Sequence, residues 1–224
     1  MLRYEKGAKM IRVLICDSCC AATEIGEYIE SELPVKTEEV IVQPGDDSIK
    51  ERVEEAIAKN IAEVDIVVIS NPLIAANTGK CLVQKYPAKK FIFYGSNLPE
   101  IVKSSKSVML LTPKRLRTTK YHQMMKAECQ EQEIEELDYD RWMNIASCNP
   151  FKITDEVKNE MNKFKGRTII LCSSESLWAK DRLENIISWR AEIVDLKQGI
   201  INELKEHFNM KPCAGRMRYK SELK

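Results

Sequence analysis

The chain has 224 residues, of which 44% are hydrophobic and 31% are charged, and its formal net charge is +1. This composition is typical of a soluble globular protein with a full core, and the small net charge gives no indication of nucleic-acid or anionic-membrane binding. No apolar run approaches the length of a membrane span, and residues 1–10 are too polar for a signal peptide, so we expect a cytoplasmic protein.

Short apolar runs alternate with helical patterns along the chain. After the first run, apolar residues recur at helical spacing up to Pro34, which ends that helix. Residues 129–150 show no clear pattern, and the acidic run Glu131–Asp140 within them is interpreted as a solvated surface. The predicted strands are Met10–Cys16, Glu39–Val42, Asp65–Ile69, Phe91–Tyr94, Val108–Leu111, Thr168–Leu171 and Glu192–Asp195.

This alternation predicts an α/β fold of parallel sheets covered by helices. Polar residues follow strands in both halves of the chain, as at Asp17 and Ser70 in the first half and at Thr112 and Cys172 in the second. If each half forms its own sheet, these strand ends face one another across a cleft. We therefore expect two pseudo-symmetric lobes, the first made of residues 1–90 with 195–224 and the second of residues 91–194.

Cys172 is the strongest single candidate for chemistry. It follows an apolar run and precedes a helical pattern, so its thiol lies where open α/β sheets bind ligands, and a helix amino end favours a thiolate or an anionic substrate. The alternative is a small buried cysteine at a strand end. Among the other cysteines, Cys16 is interpreted as a core residue, and no spacing predicts a metal site or a nucleotide-binding loop.

Five segments, taken in order, resemble the motifs of glutamate racemase and the wider aspartate/glutamate racemase superfamily, in register over residues 11–208. Where the family has D-S-G-x-G and P-Y-G, this chain has Asp17-Ser18-Cys19-Cys20-Ala21 and Pro44-Gly45-Asp46. Where the family has C-N-T, A-T-x-x-T-V-x-S-x-x-Y and G-C-T-H, it has Ser70-Asn71-Pro72, the segment from Leu111 to Tyr121, and Leu171-Cys172-Ser173-Ser174.

The resemblance implies a cofactor-independent racemase for glutamate or aspartate, in which thiols remove and return the proton at Cα. Its product would be a D-amino acid such as the D-glutamate of peptidoglycan. The implied catalytic residues are Cys172, Asp17 and Ser70. The implied substrate-binding residues are Ser18, Cys19, Gly45, Asn71, Thr118, Ser173 and Ser174. We expect a small acidic amino acid or dicarboxylate as ligand, no metal or cofactor, no nucleic-acid or membrane partner, and a homodimer as the candidate assembly.

Several positions depart from the family motifs. Ser70 stands where the family has its first catalytic cysteine, Ser174 stands where it has a histidine, and Cys19 and Cys20 replace glycines. Three hypotheses stay open. The first is a racemase in which Cys19 or Cys20 supplies the missing thiol, and the second is a single-cysteine decarboxylase or isomerase that uses Cys172. The third is a non-catalytic protein that binds a small carboxylate or a protein partner.

Overall fold

The computed structural model of the protein describes residues 10–43, 49–105, 107–128, 133–147, 154–187 and 190–208, without the side chains of Tyr121, Met124, Met125 and Glu128. The segment that contains Gly45, which the resemblance places at the substrate, lies outside the described residues. Of the helices in these ranges, none is long and apolar enough to span a bilayer.

The first sheet has four parallel strands in the order β2-β1-β3-β4. They are β1 (Ile11–Asp17), β2 (Val35–Ile41), β3 (Ile66–Ile69) and β4 (Lys90–Phe93). Every residue of β3 is buried, as expected of a central strand that is covered by helices on both faces. The helices of this part of the chain are α1 (Ala21–Glu32), α2 (Ile49–Asn60), α3 (Pro72–Lys85) and α4 (Leu98–Ser104).

The second sheet is also parallel, in the order β6-β5-β7-β8. Its strands are β5 (Ser107–Thr112), β6 (Glu133–Asp138), β7 (Arg167–Leu171) and β8 (Ala191–Asp195). Two 3-10 turns, Asn162–Phe164 and Ser174–Ala179, flank β7. The remaining helices are α5 (Lys114–Arg117), α6 (Lys120–Glu128), α7 (Tyr139–Ser147), α8 (Asp155–Met161), α9 (Lys180–Ile187) and α10 (Lys197–His207).

The two sheets repeat one topology. Numbered within each half, both have the strand order 2-1-3-4, which confirms the predicted α/β fold of two pseudo-symmetric sheets. In each sheet the order reverses between the first and third strands, that is, between β1 and β3 and between β5 and β7. Open α/β sheets bind ligands at this reversal, beyond the carboxyl ends of the strands.

A central apolar cluster joins the two sheets. Val13 and Ile15 of β1 belong to it together with Leu110 of β5 and Ile170 of β7. Cys16 packs in a separate cluster, because consecutive side chains of a strand point to opposite faces. The prediction that Cys16 is a core residue is therefore confirmed. Helix α10 returns from the second sheet to contact α1 and β4.

Three elements differ from those predicted. Strand β2 begins at Val35 rather than Glu39, because its polar residues are partly exposed at the sheet edge and give no apolar run. The sequence pattern does not predict β6, an acidic edge strand of which only Leu137 is buried. Strand β4 pairs with β3, so the first sheet extends beyond Lys90, where we placed the end of the first lobe.

Candidate active site

Polar side chains meet where the strand order of each sheet reverses. In the first sheet Asp17, the last residue of β1, lies beside Ser70, which directly follows β3. In the second sheet Cys172 directly follows β7. The hydroxyl of Ser18 lies 3.4 Å from a carboxylate oxygen of Glu175, so the strand ends of the two halves meet. We call the region where these strand ends meet the cleft.

The carboxylate of Asp17, which is fully buried, accepts hydrogen bonds from several residues of the first half. Ser70 Oγ donates to Oδ2 at 2.5 Å, and the backbone N–H of Ser18 donates to Oδ1 at 2.6 Å. The amide of Asn71 and the thiol of Cys19 donate to Oδ1 at 3.4 and 3.6 Å. Burial of a carboxylate is tolerated when such donors replace water. The structure thus brings five of the predicted site residues into one cluster.

Asn71 links this cluster to the start of α3. Its Oδ1 accepts from the backbone N–H groups of Leu73 and Ile74 at 2.9 and 3.2 Å, so it is the N-cap of the helix. Its Nδ2 donates to Ser18 Oγ at 2.7 Å. Pro72 occupies the first helical position, where the missing N–H has no consequence. Pro72, which departs from the family motif, is therefore compatible with the start of α3.

Cys172 is fully buried at the end of β7. Its backbone N–H donates to the carbonyl of Leu111 at 3.2 Å, and its Sγ lies 3.6 Å from the carbonyl oxygen of Ile170. The side chain belongs to the central apolar cluster. In this conformation the sulfur is not accessible to a substrate.

Two buried hydroxyls next to Cys172 have no hydrogen-bond partner in the part of the chain that the structure describes. They belong to Thr112, at the end of β5, and to Ser174, in the 3-10 turn. Ser173 begins the turn, because its Oγ accepts from the N–H of Glu175 and its carbonyl accepts from Ser176. Buried polar groups are normally paired, so these two hydroxyls are exceptions that a bound polar group would satisfy.

An ion pair crosses the mouth of the cleft. The guanidinium of Arg115, in α5, binds the carboxylate of Glu175, whose Oε1 also accepts from Ser18. The pKa of Tyr139 is raised above its ordinary value, first by burial and then by the charge of Glu175, while Arg115 acts in the opposite direction. These contacts place a positive charge, a carboxylate and a phenol beside the Asp17 cluster.

The thiols of the first half are poor sources of thiolate. The pKa of Cys19 is raised to about 12, mainly by burial and then by the charge of Asp17. The same two causes raise the pKa of Cys16 to about 12. Both groups therefore stay protonated near neutral pH, which disfavours a redox role for the Cys16–Cys19 pair. Within the described ranges no group of three or more acidic, histidine or cysteine residues is arranged to hold a metal ion.

Not every predicted residue lies in the cluster, and some cleft residues were not predicted. Thr118 is exposed just after α5, and its backbone N–H donates to Leu116. Arg115, Glu175 and Tyr139 were absent from the predicted site. The only sequence feature that pointed to Arg115 and Glu175 was their opposite charge. Arg115 lies inside one segment that resembles a family motif, and Glu175 directly follows another.

No protein-family model and no curated protein matches the sequence. Solved structures do match. Glutamate racemase of Escherichia coli, in complex with L-glutamate and an activator, has a TM-score of 0.69 at 15% identity, over 94% of this chain and 87% of that one. Glutamate racemase of Campylobacter jejuni has a TM-score of 0.67 at 13% identity, over 92% and 89%. Allantoin racemase of Klebsiella pneumoniae has a TM-score of 0.57 at 14% identity, over 96% of each chain. The chain therefore has the racemase fold that its motifs predicted.

Proposed function

We propose that the protein is a cofactor-independent, racemase-like enzyme that removes and returns the proton at Cα of glutamate or aspartate. The observation that carries the proposal is the position of Cys172 at the strand-order reversal of the second sheet, across the cleft from a hydrogen-bonded cluster that contains a second thiol, that of Cys19. The similarity of the fold to glutamate and allantoin racemases supports this choice of reaction.

In this mechanism the Cys172 thiolate takes the Cα proton from one face of the substrate, and the protonated thiol of Cys19 gives a proton to the other face. Asp17 accepts from the Cys19 thiol and orients it. The unpaired hydroxyls of Thr112 and Ser174 donate to the substrate carboxylate, which stabilises the carbanion as it forms. Ser70 already donates its proton to Asp17, so we assign it a positioning role rather than that of an acid.

A single-thiol enzyme is the second candidate. The observation in its favour is the raised pKa of Cys19, since a thiol whose pKa is about 12 is a weak acid. Cys172 alone would then return the proton to the face from which it came, and an isomerase with one enantiomer as product would use the same step. In a decarboxylase the bond to a carboxylate breaks instead, and Cys172 would deliver a proton to one face of the carbanion left when carbon dioxide leaves. A non-catalytic protein that binds a small carboxylate is the remaining hypothesis.

Proton exchange in heavy water tests these alternatives. The protein is incubated with L-glutamate and separately with L-aspartate, the Cα proton is followed by NMR, and the enantiomers are separated by chiral chromatography. We expect deuterium incorporation with inversion, its loss in Cys172→Ser, and loss of inversion in Cys19→Ser. Cys20→Ser is the matched control, because Cys20 is the exposed neighbour of Cys19. Exchange with retention would favour the single-thiol enzyme, and exchange that survives Cys172→Ser would overturn the proposal.

With glutamate as substrate, the product would be D-glutamate, and its supply for peptidoglycan in the cytoplasm is the biological role that we propose. A homodimer is the assembly that we propose to test by light scattering. Both proposals depend on the exchange experiment, because a protein that does not exchange the Cα proton of glutamate has no such role.

A further inference from the structure

The carboxylate of Glu175 occupies the cleft between the two halves of the molecule. It lies in the 3-10 turn that begins just after Cys172, and it is held by the guanidinium of Arg115 from the second half and by the hydroxyl of Ser18 from the first. One carboxylate thus receives donors from both sides of the cleft. A carboxylate of a bound ligand could take the same two donors.

Both members of the ion pair are accessible to a ligand. The side chain of Arg115 is 45% exposed and that of Glu175 is 21% exposed. An ion pair this accessible is screened by water and contributes little to stability, so exchange of one carboxylate for another costs little. Arginine is well suited to such an exchange, because its planar guanidinium binds carboxylates through two parallel hydrogen bonds.

The second half of the cleft offers two separate places for negative groups. The unpaired hydroxyls of Thr112 and Ser174 lie deep, next to the buried Cys172. Arg115 lies at the mouth, where its guanidinium is partly exposed. An amino acid whose α-carboxylate binds the deep hydroxyls therefore has its side chain free to extend toward the mouth.

We propose that Arg115 binds the side-chain carboxylate of the substrate and that Glu175 occupies the guanidinium until the substrate displaces it. This inference rests on the proposed function in taking an amino acid as the ligand. It deepens that function by selecting amino dicarboxylates over their amides. Glu175 is then an internal competitor, whose removal strengthens binding, and Arg115 is a specificity residue rather than a catalytic one.

Binding of matched acid and amide pairs tests the inference. Isothermal titration calorimetry is run with L-glutamate against L-glutamine, and with L-aspartate against L-asparagine. For the wild-type protein we expect one acid to bind about tenfold more tightly than its amide, the size expected for one charge-assisted contact. In Arg115→Met this preference should disappear while the affinity for the amide stays the same. In Glu175→Gln the acid should bind more tightly than it does to the wild-type protein.

Lys114→Met is the matched control, since it removes the same charge from the adjacent residue, whose ammonium lies 3.6 Å from Asp140 on the exposed surface. It should keep the full preference for the acid. Arg115→Lys keeps the charge without the planar fork and should give an intermediate preference. Thermal melting of each variant checks that it is folded. Unchanged binding in Arg115→Met, or failure of Glu175→Gln to bind either acid, would overturn the inference.

The same variants separate this inference from the proposed reaction. Cys172→Ser should lose deuterium exchange and yet keep the preference for the acid. If the acid binds through Arg115 and no exchange occurs in the wild-type protein, the proposed reaction is wrong and the binding role of Arg115 stands. If exchange occurs in Arg115→Met with an unchanged Michaelis constant for the acid, the reaction stands and the inference is overturned.

Discussion

Asp17 contributes to the raised pKa of the thiol beside it, that of Cys19. Its charge is the second cause, after burial, of the raised pKa of Cys19. In Asp17→Asn this charge is removed while the burial remains, so the pKa of Cys19 should fall below about 12 without reaching the ordinary thiol value of 9.0. Alkylation of Cys19 by iodoacetamide at mildly alkaline pH should therefore become faster, as measured by mass spectrometry of the modified peptides.

The half-buried Cys81, on α3, is the internal control for this experiment and should react at the same rate in both proteins. Asp17→Asn also replaces an acceptor with a group that partly donates, so we expect the free energy of unfolding to fall by about 1–3 kcal/mol. If Cys19 is alkylated equally fast in the folded wild-type protein and in folded Asp17→Asn, the charge of Asp17 is not a cause of the raised pKa of Cys19.

At the residue scale, the sequence predicted those site residues that follow an apolar strand. Asp17, Ser70 and Cys172 stand in such positions, and strand ends are the usual place for ligands in α/β sheets. The pair formed by Arg115 and Glu175 could not be found in this way, because the two residues are 60 positions apart and charged residues are common in turns. Only the packing of one half against the other brings Glu175 to Ser18.

At the scale of elements, Asn71 couples the stability of α3 to the geometry of the site. Asn71→Ala removes the N-cap and should lower the free energy of unfolding by about 1 kcal/mol. Asn71→Ser can still cap the helix, but its shorter side chain has no amide to donate to Ser18. In urea unfolding we expect Asn71→Ser to recover most of the stability, while both variants lose activity in the exchange assay. Equal losses of stability in the two variants would show that capping is not what Asn71 contributes.

Strand β6 is held to α6 through a charged cluster at Glu136. Its carboxylate lies 2.7 Å from His122 Nε2 and 3.3 Å from Lys126 Nζ. Burial acts to raise the pKa of Glu136, but the hydrogen bond and charge of His122, together with Lys126, outweigh it and lower the pKa below its ordinary value of 4.5. A carboxyl with a lower pKa in the folded state stabilises the fold above its ordinary pKa and loses that contribution as the pH falls through the lowered value.

Glu136→Gln should therefore reduce the free energy of unfolding at neutral pH by on the order of 1 kcal/mol, and the difference from the wild-type protein should shrink in acid, below its ordinary pKa. Urea unfolding at both pH values measures this. Glu133→Gln is the control on the same strand, since the side chain of Glu133 is exposed and its charge should matter less at neutral pH. A difference that grows on acidification would contradict the assigned sign.

Buried and edge elements differ in how well a sequence predicts them. Strand β3 has four buried apolar residues in a row, and both its existence and its place in a parallel sheet follow from that run. Strand β6 is an edge strand that alternates acidic with partly buried residues, so its apolar signal is reduced to Ile134 and Leu137. The tertiary pairing with β5 decides its structure, and that pairing is not visible in the local sequence.

At the scale of the whole molecule, two four-stranded sheets share a central apolar cluster and one cleft. Each sheet has its own reversal of the strand order, and residues that follow β1 and β7 meet there, as the contact between Ser18 and Glu175 shows. The central cluster contains side chains of both sheets and of α10, so separation of the halves exposes apolar surface. Opening of the cleft therefore has a free-energy cost, and contacts between the halves set how often Cys172 becomes accessible.

Tyr94 makes two hydrogen bonds between the halves. It follows β4 of the first sheet and is fully buried, and its hydroxyl donates to the carbonyl of Leu171 and accepts from the N–H of Leu196, both at 3.3 Å. Leu171 is the last residue of β7 in the second sheet, and Leu196 directly follows β8 of the same sheet. Tyr94→Phe removes the hydroxyl with little change of shape, so we expect about 1–2 kcal/mol less stability.

We also expect the thiol of Cys172 to be alkylated faster in Tyr94→Phe than in the wild-type protein under native conditions. The thiol is fully buried, so the protein must open before the thiol reacts. Peptide mass spectrometry after timed exposure to iodoacetamide measures the rate. Tyr28→Phe is the matched control, because it also removes a hydroxyl, one that donates to Gln198 at 2.6 Å on an exposed contact between α1 and α10. The control should leave the rate at Cys172 unchanged. Both variants could react as slowly as the wild-type protein although Tyr94→Phe is destabilised. That result would mean that the thiol is exposed by another route. The hydroxyl of Tyr94 would then stabilise the closed molecule without controlling access to the cleft.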